Sequence, residues 1–450
     1  MTDVVVRSGV VAGPGWWRRT PATPAPAATA AAAAPAAEAS PVAFRALLVF
    51  TFILLTAPQN MVPALAPLRI ALLAAAVAIG AHVWQRFSDA GPRRPATREL
   101  RITLALVAWA ALTIPFSYWP NGSLMCLLTV YLKTLAIFWL LGELVTTLAR
   151  LRRVAWALAL LSLPLAVTAV RNFLSGAFLA DATGVKRIQG FEAPLTENPN
   201  DLALILNLIL PLIVALMLSA RRPLVRGLLL AIVGLNAVAV VLTFSRAGFL
   251  ALTLILAVYL WKLRARPGAG WRWLALALAL AALPLLPAGY GARLETITDM
   301  NADRTGSAQA RWTDAILAAG WVLHNPFVGA GIGMNMLALN EVRGPAWKAV
   351  HNTYLEYAVD LGLPGLTLFL FLLGGALRRA SAVARQAASS ALAELGHLAT
   401  GIQISLMAYT LAGLFHPSGY QFPFYYFAGL AVALSAVHAA ETGRPPGAAR

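Results

Sequence analysis

Apolar runs separated by short polar breaks recur from Phe44 to the end of the chain. Most approach the roughly 20 residues that an α-helix needs to cross a hydrocarbon core about 30 Å thick. The pattern predicts about twelve spans, near 43–58, 65–84, 102–116, 123–142, 154–174, 200–219, 227–243, 248–261, 273–289, 353–376, 391–415 and 424–439. Pro164, Pro211, Pro284 and Pro364 fall inside spans, where each removes a backbone donor and leaves neighbouring helices to answer the freed carbonyl. Two breaks are long, 175–199 and 290–352. In the second, Trp312, Ile316, Ala319 and Leu323 repeat at helical spacing. They predict a helix over Ala308–Leu323, with Ser307 as N-cap and Asn325-Pro326 as its stop. That stripe is expected to pack against the membrane domain.

Composition narrows the class to a membrane protein. Of 450 residues, 59% are hydrophobic and 12% charged, about half the charge of a soluble domain. Residues 1–42 are rich in Ala and Pro, carry Arg18 and Arg19, and have no apolar stretch before Phe44. They read as a disordered cytoplasmic tail, not a cleavable signal peptide. No repeat of 20 to 50 residues is evident, which argues against a solenoid. The single cysteine, Cys126, sits in an apolar run, so neither a disulfide framework nor a cysteine metal cluster is expected. The expected organisation is the tail 1–42, helices one to nine over 43–289, a large loop over 290–352, helices ten to twelve over 353–439, and a short tail over 440–450.

A net charge of +17 would suggest nucleic acid in a soluble protein, but here the cations mark topology. Arg86 with Arg93, Arg94, Arg98 and Arg101 fills one break. Arg150 with Arg152 and Arg153, Arg221 with Arg222 and Arg226, Lys262 with Arg264, Arg266 and Arg272, and Arg378 with Arg379 and Arg385 fill others. The breaks at 58–64, 117–122 and 416–423 hold no Lys or Arg. By the positive-inside rule both termini are cytoplasmic, and the loops 175–199 and 290–352 face the periplasm. No nucleic-acid partner is expected.

The informative cations break that rule: Arg171, Lys186, Arg187, Arg246, Arg293, Arg304, Arg311, Arg343 and Lys348. Arginines held beside a bilayer suggest an anionic, membrane-borne ligand, because guanidinium matches phosphate oxygens bidentately. Arg171 and Arg293 read more simply as interfacial side chains that snorkel. Arg304, after Asp303, reads as solvated, and Arg311, three residues before Asp314, could form an ion pair along a helix. Arg246, in the short turn Thr243-Phe244-Ser245-Arg246, has little structural reason to be charged. Arg187 precedes the polar run Glu197-Asn198-Pro199-Asn200-Asp201, which is suited to capping the next helix. His351-Asn352 stands where the large loop meets the tenth span; an imidazole there can act as a neutral base. His324 belongs to a helix stop, His416 to a Pro-containing turn, and His82 and His397 to cytoplasmic helix ends. Asp299 and Asp303 form the sole outer acidic pair resembling a metal site, a weak signal, and no metal or other cofactor is expected.

His351-Asn352, nine residues, then Gly362-Leu363-Pro364-Gly365 resembles the His-(Asn/Ser/Gln)-x9-Gly-x-x-Gly signature of the bacterial O-antigen ligase family. Leu366 stands where that family usually has Thr or Val. Asn325 to Gly333 is similar to the glycine-rich segment of the wider ligase and polymerase superfamily; no strand precedes it, so it is not a dinucleotide loop. Ser245-Arg246, and Arg187 before Asn198-Pro199-Asn200, also look like family positions. The resemblance covers roughly residues 180–370. It implies an all-α, GT-C-like, polytopic inner-membrane glycosyltransferase with a large helical periplasmic loop, needing no metal. Such an enzyme moves a glycan from undecaprenyl diphosphate, the O-antigen donor, to a sugar hydroxyl of lipid A–core, with inversion. It further implies Arg187, Arg246 and Arg311 on the diphosphate and His351 as the base. Glu192, Glu197 and Asp314 are the alternatives for that base.

An O-antigen polymerase would carry Arg-x10-Gly repeats in two large loops; the chain has one large loop and no convincing pair of repeats. A protein-glycosylating relative would continue into a soluble C-terminal domain. A transporter or flippase would show internal repeats and intramembrane charge, for which Lys133 and Glu143 are the main candidates.

Overall fold

The structure, a computed structural model, describes residues 39–88, 96–179, 187–264, 287, 289–299, 303, 306–387 and 392–443. All of the expected span 273–289 but residues 287 and 289, and nearly all of the expected tails, lie outside the described residues, as do Lys186 and Arg304. Helices dominate: α1 (Pro41–Thr56), α2 (Ile70–Ser88), α3 (Arg98–Thr113), α4 (Pro120–Leu144), α5 (Leu148–Leu174), α6 (Pro199–Ser219), α7 (Pro223–Leu242) and α8 (Arg246–Leu263) come first. Three shorter ones follow, α9 (Tyr290–Thr298), α10 (Ser307–His324) and α11 (Asn335–Arg343), then α12 (Thr353–Gln386), α13 (Ala393–Ala412) and α14 (Phe422–Thr442). Among the described residues no strand forms beyond an isolated bridge between Phe178 and Ile188. Nine helices there are long and apolar enough to cross a membrane. The protein is therefore an all-α polytopic membrane protein. The remaining expected spans fall on α1, which has 16 residues, on α13, and on 273–289.

Short polar residues start these helices by accepting otherwise orphaned N–H groups. Thr97 caps α3 through Leu100 N at 3.2 Å, Asn198 caps α6 through Asn200 N at 2.9 Å, and Ser245 caps α8 through Gly248 N at 3.2 Å. The bundle centre is α6 and α14, each 78% buried over its apolar window, whereas α2 is 11% and α7 22% buried. The first pair forms the protein interior; the second has apolar side chains with no protein partner, as lipid-facing helices do. Polar side chains in the interior pair with one another. Tyr131, Tyr425 and Tyr357 join hydroxyls at 2.7 and 2.8 Å, and Tyr357 Oη donates to Gly419 O, tying α4, α14 and α12 together. At the arginine-rich ends Arg379 meets Glu99 at 2.6 Å and Arg86 meets Glu143 at 3.2 Å. Glu143 is thus an inter-helix tether, and Lys133 lies exposed on α4.

The decisive irregularity is in α12. Its first half ends at Gly362, which has φ 68° and ψ −175°, and Pro364 follows. A helix broken in an apolar setting exposes carbonyls that must find donors. The glycine-rich segment supplies them: Ala330 N donates to Val359 O at 2.7 Å and Gly331 N to Asp360 O at 2.8 Å, while Leu363 N turns to Pro326 O at 2.8 Å. From α3, Trp109 Nε1 donates to Leu361 O at 2.8 Å. The two backbones touch. A Cβ on Gly362 would lie 2.2 Å from Phe327 O, and one on Gly329 2.6 Å from Asp360 O.

One sequence expectation is overturned at α10. The helix forms over Ser307–His324, with Gly306 and not Ser307 at its N-cap. Trp312, Ile316, Ala319 and Leu323 face outward, at 59%, 56% and 79% exposure for the three large ones. Asp314, Ala318, Trp321 and Val322 are buried instead. The reason is electrostatic. Asp314 takes Arg343 at 3.5 Å and Lys348 at 2.9 Å, both from the α11 region, and those ion pairs turn the polar side of α10 inward.

Gly362→Ala should cost about 1–3 kcal/mol for its left-handed backbone alone, and more from the clash with Phe327 O. Trp109→Phe, which strands one buried carbonyl, should cost about 1 kcal/mol. Thermal unfolding of the purified variants should preserve that order; equal stability for Gly362→Ala and the parent would show that the break carries no strain.

Candidate functional site

The break in α12 accounts for the spacing of the His motif. Asn352 caps the half-helix, its side chain accepting from Tyr354 N at 2.9 Å and Leu355 N at 3.0 Å. The helix then runs to Leu361 before breaking at Gly362. His351 is the residue immediately before that cap, so the nine intervening residues measure one rigid half-helix. Asp360, fully buried on this segment, accepts from Gly333 N at 3.0 Å and from Asn335 N at 2.6 Å. Asn335 in turn accepts from Val350 N at 3.2 Å. One carboxylate thereby clamps the glycine-rich segment and, through Asn335, the residue preceding His351.

His351 is partly buried, and its Nδ1 has no hydrogen-bond partner among the described residues. Burial lowers its pKa, and the positive charges of Arg311, His416 and Lys348 push it further, to about 4; a hydrogen bond with the Ala349 backbone opposes them. The imidazole is neutral at ordinary pH. Arg311, on the first turns of α10, is therefore within electrostatic reach of His351.

Arg246 opens α8 and has its side chain only 11% exposed. Nη1 donates to Thr296 Oγ1 at 2.9 Å and to Asp303 Oδ2 at 3.1 Å, and Nη2 donates to Ser307 Oγ at 3.0 Å. Asp303 also accepts from Ala308 N at 2.8 Å. Arg246 thus pins the start of α10, and with it the helix that carries Arg311. Of the acidic pair read from the sequence, Asp303 is committed to these donors. Arg187 sits in a loop fixed by backbone: Leu179 N donates to Arg187 O at 2.8 Å, and Asn172 Nδ2 donates to Gln189 O at 2.8 Å. Phe173 of that neighbourhood stacks on Phe244, 6.4 Å between centroids, two residues before Arg246. Arg187 and Arg246 therefore belong to adjoining structural units, as do Arg311 and His351. Glu192 and Glu197 are exposed, and Asp314 is held by Arg343 and Lys348.

Two groups escaped the sequence reading. His416, set aside as a turn residue, pairs through Nε2 with Asp201 on the first turn of α6. Its carbonyl accepts from Thr353 Oγ1 at 2.7 Å, which fastens the 413–418 turn to the half-helix behind His351. Nothing in the spacing of 201 and 416 could have shown this. Glu356 is buried five residues after His351 and accepts from Gly419 N at 2.8 Å. Glu356 and Asp360 did carry a visible signal, two acids inside an apolar span.

No curated protein matches the chain. The O-antigen ligase family model matches residues 228–370, a segment that contains Arg246, Arg311, His351, the glycine-rich insert and the break at Gly362, and leaves out Arg187. Over that segment the chain is similar to the O-antigen ligase family, and the match supports an activity of the lipid-linked glycan ligase or polymerase type.

Proposed function

We propose that the protein is an O-antigen ligase, transferring a glycan from undecaprenyl diphosphate to a sugar hydroxyl of lipid A–core at the periplasmic face of the inner membrane. The observation that carries this reading is the neutral His351, whose Nδ1 lacks a hydrogen-bond partner among the described residues, set within the electrostatic reach of Arg311 inside the matched segment. The acceptor hydroxyl gives its proton to His351 as its oxygen attacks the anomeric carbon. The bond from that carbon to the diphosphate breaks, and the electron pair leaves on undecaprenyl diphosphate. One displacement inverts the anomeric centre, and His351 returns its proton to water.

Arg187, Arg246 and Arg311 offset the charge that develops on the leaving diphosphate. Arg246 does so by exchanging Asp303 for phosphate oxygens, since both offer acceptors to the same Nη1. Arginine takes the place of a metal ion in this scheme. The diphosphate also serves the base. Bringing negative charge to Arg311 weakens the cationic field that holds His351 down, so donor binding raises its basicity when it is needed.

The direct test is transfer by purified protein from undecaprenyl-diphosphate glycan to lipid A–core, alongside complementation of a ligase-deficient strain. Product built on a second undecaprenyl-linked glycan, with none on lipid A–core, would make the protein a polymerase. Transfer should survive chelator. Arg246→Lys should lower it by about 10–100-fold despite the retained charge, because lysine has no planar fork. His351→Ala should abolish transfer yet bind donor almost normally, whereas Arg187→Ala should weaken donor binding. If His351→Ala loses donor binding as fully as Arg187→Ala, the histidine is a phosphate ligand and not the base.

The pH dependence has a definite sign. His351 must be unprotonated, so kcat/KM should hold on the acid side and fall only as pH drops through about 4. The acid limb of kcat, which reports the donor complex, should lie at higher pH. In Arg311→Gln the limb of kcat/KM should move upward, because one of the charges depressing His351 is gone. Identical limbs in the parent and Arg311→Gln would remove His351 from the rate equation.

Topology has its own measurement. Cysteines placed at the exposed positions Asn121, Ala346 and Gln421 should react with an impermeant thiol reagent added from the periplasm, and those at Arg222 and Arg385 should not. The opposite pattern would place the site on the wrong side for the donor glycan.

A further inference from the structure

An open groove of about 510 Å³ runs between α5 and α7, lined by Val167, Val170, Arg171, Leu174 and Ser175 with Leu235 opposite. Its size falls in the range of about 300–1,000 Å³ usual for small-molecule sites. The lining is apolar apart from the end of α5, where Arg171 stands exposed in the last helical turn. A helix C-terminus favours a cation, which explains why arginine is tolerated there. It does not explain the groove beneath it. Among the described residues the Arg171 guanidinium has no carboxylate partner. The adjacent Leu235–Asn236 step is fixed, because Asn236 Nδ2 donates to Ser162 Oγ at 3.1 Å and joins the two helices.

The mouth of the groove adjoins the site. Asn172, next to Arg171, holds the loop that follows Arg187 through Gln189 O at 2.8 Å. Phe173 stacks on Phe244, just ahead of Arg246. An apolar channel open to the bilayer, ending on a cation at the helix end that also holds the Arg187 loop and the turn before Arg246, fits an amphiphile with a long hydrocarbon chain and an anionic head.

We propose that this groove seats the head-proximal isoprene units of the polyprenyl donor, with Arg171 on its phosphate; the proposal rests on the donor being a polyprenyl diphosphate. Arg171 is then a substrate-positioning residue, and the groove sets the direction from which the lipid enters.

The test uses the full chain in nanodiscs of phosphatidylethanolamine and phosphatidylglycerol, with a diazirine-bearing polyprenyl diphosphate as probe. Photolabel should map to residues 167–175 and 232–238, and excess undecaprenyl phosphate should compete it away where added phosphatidylglycerol does not. Leu235→Trp, which fills the groove, and Arg171→Glu, which reverses its charge, should each reduce labelling by about tenfold, a loss of about 1.4 kcal/mol of binding. Label outside those two segments overturns the proposal, and so does equal competition by phosphatidylglycerol, which would mark an ordinary phospholipid contact. The parent chain alone decides this if a variant fails to fold. Glycan transfer with label elsewhere would sink the groove and leave the ligase reading standing; label in the groove without transfer would do the reverse.

Discussion

A carbonyl left without a donor inside an apolar bundle bears the cost of its lost hydration with nothing to offset it, and the break at Gly362 leaves several at once. Pro364 cannot donate to Asp360 O, and Leu363 N is turned toward Pro326 O. The orphaned acceptors are answered by Ala330 N, Gly331 N and Trp109 Nε1. This exchange requires two backbones to approach closer than any side chain allows, which is why glycine stands at both 329 and 362. The site is built outward from that contact. The half-helix fixes where Asn352 caps, the cap fixes His351, and Asp360 fastens the glycine-rich segment and Asn335 to the same point.

Charge organises the second layer. Asp314 draws Arg343 and Lys348 onto α10, and Arg246 draws Asp303 onto the segment that begins it. The Arg343–Asp314 and Arg246–Asp303 pairs are largely shielded from water, where breaking one partner is costly and the geometry is correspondingly firm. They leave α10 anchored at its start and along its inner face, with Arg311 carried between. The cations around His351 then do two things in the proposed reaction: they attract the diphosphate, and until it arrives they add to burial in keeping the imidazole uncharged.

Much of the architecture was legible because membrane helices are written in long stretches of one kind of residue. Eleven of the expected spans fall on described helices, and Asn198, in the polar run read as suited to capping, does cap the next helix. The α10 stripe failed for a physical reason. An apolar periodicity announces an amphipathic helix, but beside a bilayer both faces have a partner available, lipid for one and protein for the other. Which face turns inward was decided by Asp314, Arg343 and Lys348, residues far apart in sequence.

The sequence by itself determined the class of the protein, the approximate place of most spans and the His-Asn-x9-Gly spacing, because hydropathy and glycine geometry act over a few residues at a time. Tertiary structure decided what those residues meet. That Gly329 abuts Asp360, that Arg246 holds Thr296, Asp303 and Ser307, and that His416 joins Asp201 across the bundle all depend on how helices separated by tens to hundreds of residues pack. Such contacts carry no local period. They arise when the apolar faces have been buried and the remaining polar groups must find one another.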